Sequence, residues 1–294
     1  MRRLFWLVAT VALVPFAGVI YQKLGEQADR RRYRSAGRLV RVGSLSLYVR
    51  DAAPEPDIAN SSPTIIFESG IGATSQNWTA LQQTLAQHVR TLSYDRAGLG
   101  WSSSRISTPT PEQLARELRA LLSAAGVPPP YFLVAHSFGG FAGSGAADQI
   151  HDRLSSVVWL DAFKPKDGEK PLDYISGFSR KALEEAMARG EAGRKPPAAK
   201  AYSLVEKEYA WIDSKLTLQP NGPTFQPVHI SGKLDTIAKK TYIRAPKYPQ
   251  ASFDRALAEC RSDKTWQTFV VEASGHDVMI DKPEWLADIL LKVS

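Results

Sequence analysis

Three residues far apart in the chain are of the types that together perform nucleophilic chemistry. Ser137 stands in Ala135-His136-Ser137-Phe138-Gly139-Gly140, between the apolar run Tyr131–Ala135 and the helix-like stretch Phe141–Ile150. A serine in a tight small-residue turn between strand and helix is lifted off the sheet edge, the context of a nucleophile elbow; Ala135 replaces the first glycine of G-x-S-x-G, small for small. A serine hydroxyl near neutral pH needs a general base, and the base needs a carboxylate that sets its tautomer and stabilises the imidazolium. Of the five histidines, His276 in Ser274-Gly275-His276 follows the apolar run Trp266–Val271 and has the strand-end loop position a base requires. His88, His136, His151 and His229 have structural readings.

Two carboxylates compete to orient His276. Asp235 comes after the run Pro227–Ser231 and completes the chain order Ser, Asp, His, so it is favoured. Asp161, which closes the run Ser156–Leu160, is the alternative acid, because the carboxyl edge of an adjacent strand also reaches the imidazole. The unused one is structural. An oxyanion needs two fixed backbone N–H donors; these are expected from Phe138, the residue after the serine, and from Ile71 in the turn Ser69-Gly70-Ile71-Gly72. Glu68 is charged at the end of a central strand and so needs a partner, for which Arg96 is the candidate. No metal and no organic cofactor is expected. The single cysteine, Cys260, excludes an internal disulfide framework and a cysteine-based zinc cluster.

These residues need an α/β scaffold, and the pattern supplies one. Arg38–Val42 and Ser46–Arg50 read as a hairpin, Thr64–Glu68 and Thr91–Tyr94 as strands, and Trp78–His88 as a helix. Thr110–Ala125 is an amphipathic helix opened by a threonine cap and Pro111. Tyr131–Ala135 and Ser156–Leu160 are continuously apolar, as strands buried on both faces of a parallel sheet are. Pro227–Ser231 and Trp266–Val271 read as further strands, and Pro283–Val293 as a closing helix. Between Phe163 and Phe225 a Lys/Glu/Ala-rich stretch reads as a helical insertion.

The charge divides the chain. Lys and Arg number 37 against 30 Asp and Glu, a net +7, but the first 50 residues hold ten basic and two acidic side chains, so the remainder is close to neutral. That balance lacks the basic face a nucleic-acid partner would need. Leu4–Tyr21 is uncharged for eighteen residues, flanked by Arg2 and Arg3 and by Lys23 and Arg30, Arg31, Arg32 and Arg34. At about 1.5 Å per residue such a helix nearly spans a hydrocarbon core of about 30 Å. Residues 1–36 are therefore expected to form a signal anchor and basic linker in contact with membrane lipid, with a cleaved signal or a buried helix as alternatives. The side of the membrane stays open, because the flanking charges favour a cytoplasmic catalytic part and export favours the opposite.

Phe67-Glu68-Ser69-Gly70-Ile71-Gly72, Tyr94-Asp95-Arg96-Ala97-Gly98-Leu99-Gly100-Trp101-Ser102, Ala135-His136-Ser137-Phe138-Gly139-Gly140 and Ser274-Gly275-His276 resemble, in order, the oxyanion turn, the D-R-x-G-x-G-x-S loop, the elbow and the histidine loop of the α/β-hydrolase family. The resemblance covers residues 37–294. It implies a mostly parallel central sheet flanked by helices, with a helical cap at about 164–225 whose Tyr174, Phe178, Tyr202, Tyr209 and Trp211 are candidates for an acyl pocket or for packing. It also implies Ser–His–Asp chemistry on a small-molecule ester. Peptidase, carbon–carbon hydrolase, lyase and acyltransferase reactions use the same residues, and a membrane-tethered binding protein that keeps the fold without turnover is the non-enzymatic alternative. Some relatives with Glu-Ser-Gly in the oxyanion turn lack an acid after the next-to-last strand, which keeps Asp161 in competition.

Overall fold

The computed structural model describes residues 18, 20, 21, 24, 25, 37–54, 62–104, 109–175 and 177–294. Residues Met1–Gly37 and Arg38–Ser294 form separate units. Most of the expected span Leu4–Tyr21 lies outside the described residues, and among those described no helix is long and apolar enough to cross a membrane.

The second unit is built on an eight-stranded sheet. Strands β1 (Arg38–Val42) and β2 (Leu45–Ala52) pair antiparallel, and β2 meets β4 (Thr91–Tyr94) antiparallel. From β4 onward the sheet is parallel, through β3 (Thr64–Glu68), β5 (Tyr131–His136), β6 (Leu154–Leu160), β9 (Lys239–Arg244) and β10 (Trp266–Val270). Side-chain alternation sends Leu133, Val157, Trp159 and Tyr242 to one apolar layer and Phe132, Val134, Val158, Leu160 and Ile243 to the other. Covered on both faces, these strands need unbroken apolar runs.

Helices fill both layers. α1 (Thr79–Leu85) and α8 (Pro283–Val293) cover one face, and α2 (Pro111–Ala124) packs with α3 (Gly139–Gln149) on the other. α2 starts as its sequence predicts: Thr110 and Gln113 form a reciprocal capping box with Pro111 at the first turn, and Leu114, Leu118, Leu121 and Leu122 form its buried stripe. Burying each leucine contributes roughly 1.5–3 kcal/mol. The 164–225 segment holds α4 (Gly177–Ala188), α5 (Tyr209–Lys215), several single turns and a small antiparallel pair, β7 (Gly193–Arg194) with β8 (Gln219–Pro220). The Phe178 side chain lies outside the described residues.

One expected strand is a loop. Residues 227–231 join no sheet, because their amides are taken locally: Val228 N–H donates to the Glu169 carbonyl, Ile230 N–H to Asp167, and Ser231 N–H to Asp148. The strand that fills the place between β6 and β10 is β9, whose charged ends hide it in the sequence. Lys240 is buried with its ammonium on the Asp235 carbonyl, and Arg244 is buried at the far end. Helix α6 (Ala251–Ser262) follows.

Candidate active site

The parallel strands end together, and each expected site residue can be located by which end of a strand it follows. Ser137 comes directly after β5 with φ of 55°, a left-handed backbone that serine adopts only under constraint. The tight turn is held by Gly140 N–H on the Ser137 carbonyl (3.0 Å) and Phe163 N–H on the same oxygen (3.2 Å). Gly140 has no substitute, since a Cβ there would stand 1.9 Å from the Phe163 carbonyl oxygen.

His276 follows β10 and is 2% exposed. Its Nδ1 donates to Asp161 Oδ2 at 2.7 Å, so the tautomer leaves a lone pair on Nε2. Its backbone N–H donates to the Tyr202 carbonyl (2.9 Å). The ring lies among His136, Tyr202, Tyr248 and Phe253, with ring centres 4.4 to 5.8 Å away. Ser137 and His276 line one cleft, together with Gly70, Ile71, Asn77, His136, Tyr202, Leu216 and Asp277, which leaves room for about one water molecule.

The carboxylate on His276 is Asp161, and the preference for Asp235 is corrected. Asp235 precedes β9, so it lies at the amino end of the parallel strands, exposed on a turn, on the opposite edge from Ser137. Asp161 follows β6 at the carboxyl end and is fully buried. Its φ of 41° is the second left-handed non-glycine backbone at the site; aspartate tolerates this region better than most residues. Oδ1 accepts from Arg244 Nη1 (2.8 Å) and from the Ala245 amide (2.9 Å), which leaves Oδ2 for the imidazole.

The expected oxyanion donors also fall at this edge. Ile71 lies in the turn after β3 and lines the cleft, and Phe138 opens α3 beside Ser137. Among the described residues neither backbone N–H has a protein acceptor, as a donor pair kept for a ligand requires. The Ile71 turn is fixed from beneath: Glu68 accepts from Tyr94 Oη and Arg96 Nη1, and Arg96 also donates to the Ser69 carbonyl (2.6 Å) and the Gly70 carbonyl (2.7 Å). Glu68 and Arg96 pair as the sequence predicts. Burial, then the Glu68 charge, pushes the Tyr94 phenol well up, so it stays a donor.

Arg244 and Asp277 adjoin this site without a sequence signal that pointed to them, and His136, read as structural, packs beside His276. His136 Nε2 donates to the His276 carbonyl (3.2 Å) and lies 3.5 Å from Asp277 Oδ1. Burial, and next the neighbouring His276, hold its pKa well below the usual histidine range, so it is neutral. Burial raises the Asp277 carboxyl to about 6, against an opposing effect of His276. His136, His276 and Asp277 also form the one cluster of metal-type donors among the described residues, within 4.8 Å; since His136 Nε2 carries the proton it donates, that nitrogen offers no lone pair to a cation. From the aromatic candidates, Tyr202 borders the cleft, Tyr174 packs on Phe141 and Phe163, Tyr209 packs within the insertion, and Trp211 is 38% exposed.

Comparison with known proteins agrees with this fold. A family model described as "Alpha/beta hydrolase family" matches residues 65–289. The chain is 28% identical over 171 residues to the carbendazim hydrolyzing esterase of Nocardioides sp., covering 54% of this chain and 69% of that one. It is 38% identical over 100 residues to the uncharacterized protein YqjL of Bacillus subtilis, a match to 34% of this chain and 40% of that protein's length. Among solved structures, a thermophilic esterase from Thermogutta terrifontis superposes with a TM-score of 0.66 at 16% identity, over 88% of this chain and 97% of that one. An extracellular alpha/beta-hydrolase from a Paenibacillus species superposes with a TM-score of 0.67 at 19% identity, over 79% and 99%.

Proposed function

Because the chain belongs to the alpha/beta hydrolase family, we propose that it is a serine hydrolase that cleaves carboxylic esters of small molecules through an acyl-enzyme. The observation that carries this reading is the 2.7 Å bond from His276 Nδ1 to buried Asp161, made at the cleft that Ser137 also lines. Ser137 Oγ attacks the ester carbonyl as His276 Nε2 takes its proton. Asp161 holds the tautomer and stabilises the imidazolium. The Ile71 and Phe138 amides donate to the oxyanion, and each such donor typically contributes about 10² to 10³ in rate. His276 returns the proton to the leaving alcohol, and a water activated by the same imidazole releases the acid. The ester preference draws on relatives whose names describe esterases.

Ser137→Ala tests the reading directly. Turnover of a p-nitrophenyl acyl ester and labelling by a fluorophosphonate probe should both vanish while the far-UV circular dichroism is unchanged; a variant that keeps full turnover refutes it. From its sequence alone, Leu4–Tyr21 is further proposed as a membrane anchor. Full-length protein should float with lipid vesicles where protein lacking residues 1–34 does not, and equal flotation refutes it.

A further inference from the structure

The end of β9 holds a guanidinium where the preferred chain order would place a carboxylate. Arg244 is 1% exposed, and four of its hydrogen bonds fix its orientation. Nη1 donates to Asp161 Oδ1 (2.8 Å) and to the Ala245 carbonyl (2.7 Å), Nη2 to the Tyr248 carbonyl (2.8 Å), and Nε to Asp254 Oδ1 (2.8 Å). The planar fork of arginine can meet such a set of acceptors, and the ammonium of lysine cannot. Burial pulls the Arg244 pKa down, but Asp161 and Asp254 hold it above its ordinary value, so the cation is permanent.

The surroundings of His276 give that cation its consequence. Asp161 meets the imidazole from the end of β6, and Asp277 adjoins it in the chain. Asp281, from the short helix α7 (Val278–Asp281), accepts from the Gly275 amide (2.8 Å). His136 from β5, Tyr202 from the insertion and Tyr248 from the loop after β9 complete the ring. His136 is neutral, and burial raises both tyrosines, so these three carry no charge. Anions therefore dominate around the imidazole. Among the described residues, Arg244 is the lysine or arginine paired with Asp161, and Asp277 has none.

We propose that Arg244 is a positioning residue that acts through Asp161: it aims Oδ2 at His276 and offsets the carboxylate charge felt by the imidazole, keeping His276 able to accept the Ser137 proton at lower pH than an unpaired Asp161 would allow. The inference rests on the serine-hydrolase reading of Ser137, His276 and Asp161. An opposite charge within about 4–6 Å shifts a titration by about 1–3 pH units, and Arg244 bears on His276 from one carboxylate further away, so the low end of that range applies.

The test measures the second-order rate of Ser137 labelling by a fluorophosphonate probe across pH, which needs no knowledge of the substrate. In Arg244→Met the acid limb should move up by about one pH unit, with the plateau rate about tenfold lower. Arg244→Gln, a second neutral variant that can still donate to Asp161, should move the limb in the same direction. Arg244→Lys keeps the charge and loses the fork, so its limb should stay put while its plateau falls. Folded neutral variants with an unmoved limb would overturn the inference. If neither neutral variant folds, Arg244→Lys decides: a wild-type plateau would overturn it. Absence of labelling in the wild type would count against the hydrolase reading, whereas normal labelling with an unmoved limb would count against Arg244 alone.

Discussion

Glu68 at the end of β3 and Asp161 after β6 are both buried carboxylates at the carboxyl edge of one sheet, each bonded to a buried arginine, Arg96 and Arg244 respectively. They differ in what the other oxygen meets. Glu68 faces the Tyr94 phenol, which burial keeps protonated, and the spare donors of Arg96 hold the Ser69 and Gly70 carbonyls. That network ties two carbonyls of the turn to one buried ion pair, so it serves as a brace for the Ile71 turn. Asp161 faces the His276 imidazole at Nδ1, which leaves a lone pair on Nε2. The same ion pair braces a backbone turn in one place and, in the proposed mechanism, orients a general base in the other, according to what the second carboxylate oxygen meets.

Neutralising each carboxylate would break the comparison if the two behaved alike. Asp161→Asn should lower kcat/KM by about 10⁴, since an amide can leave the imidazole in the wrong tautomer, while Asp235→Ala on the opposite edge should stay within about twofold, as expected of a surface change remote from the site. Steady-state kinetics on one ester compares them, and equal losses would return the acid to contention. Glu68→Gln should act chiefly on folding. Removing one partner leaves Arg96 buried and unpaired, a cost of about 3–5 kcal/mol in urea unfolding, with a smaller kinetic loss of about tenfold as the Ile71 amide loosens.

Asp277 sharpens the contrast, because this buried carboxylate has no arginine. Its folded pKa of about 6 lies above the ordinary value of 3.8. Between those values the folded state holds a proton that the unfolded chain releases, so stability falls as pH rises through this window, and the full cost of roughly 3 kcal/mol is present at pH 8. Asp277→Asn should therefore gain up to about that amount over wild type at pH 8 and nothing at pH 4. Unfolding curves at the two pH values check the sign; a constant difference would show that the carboxylate does not titrate as described.

Local features of this site were legible in the sequence, and features made by distant contacts were not. Ser137 shows because strand, serine and paired glycines are adjacent, and the Glu68–Arg96 pair because a charge at the end of a buried strand demands a partner. The strand assignment beyond the insertion failed for a physical reason. Val228 and Ile230 alternate like strand residues, but Asp148, Asp167 and Glu169 take the amides a ladder would use. Meanwhile β9 carries lysine and arginine where buried strands rarely do. Misplacing that strand moved Asp235 to the wrong edge. The Arg244–Asp161 bond joins residues 83 positions apart, and no pattern along the chain announces it.

Gly275 packs so closely on the insertion that a Cβ would stand 2.3 Å from the Ser203 carbonyl oxygen, and the next amide, of His276, is bonded to the Tyr202 carbonyl. Ser203 is the third left-handed non-glycine residue among those described. The segment that roofs the cleft and the loop that holds the imidazole are thus one joint. A shift of the insertion at Tyr202 or Ser203 is therefore passed to the backbone of His276. Under the proposed ester hydrolysis, discrimination by size is then expected in turnover more than in occupancy.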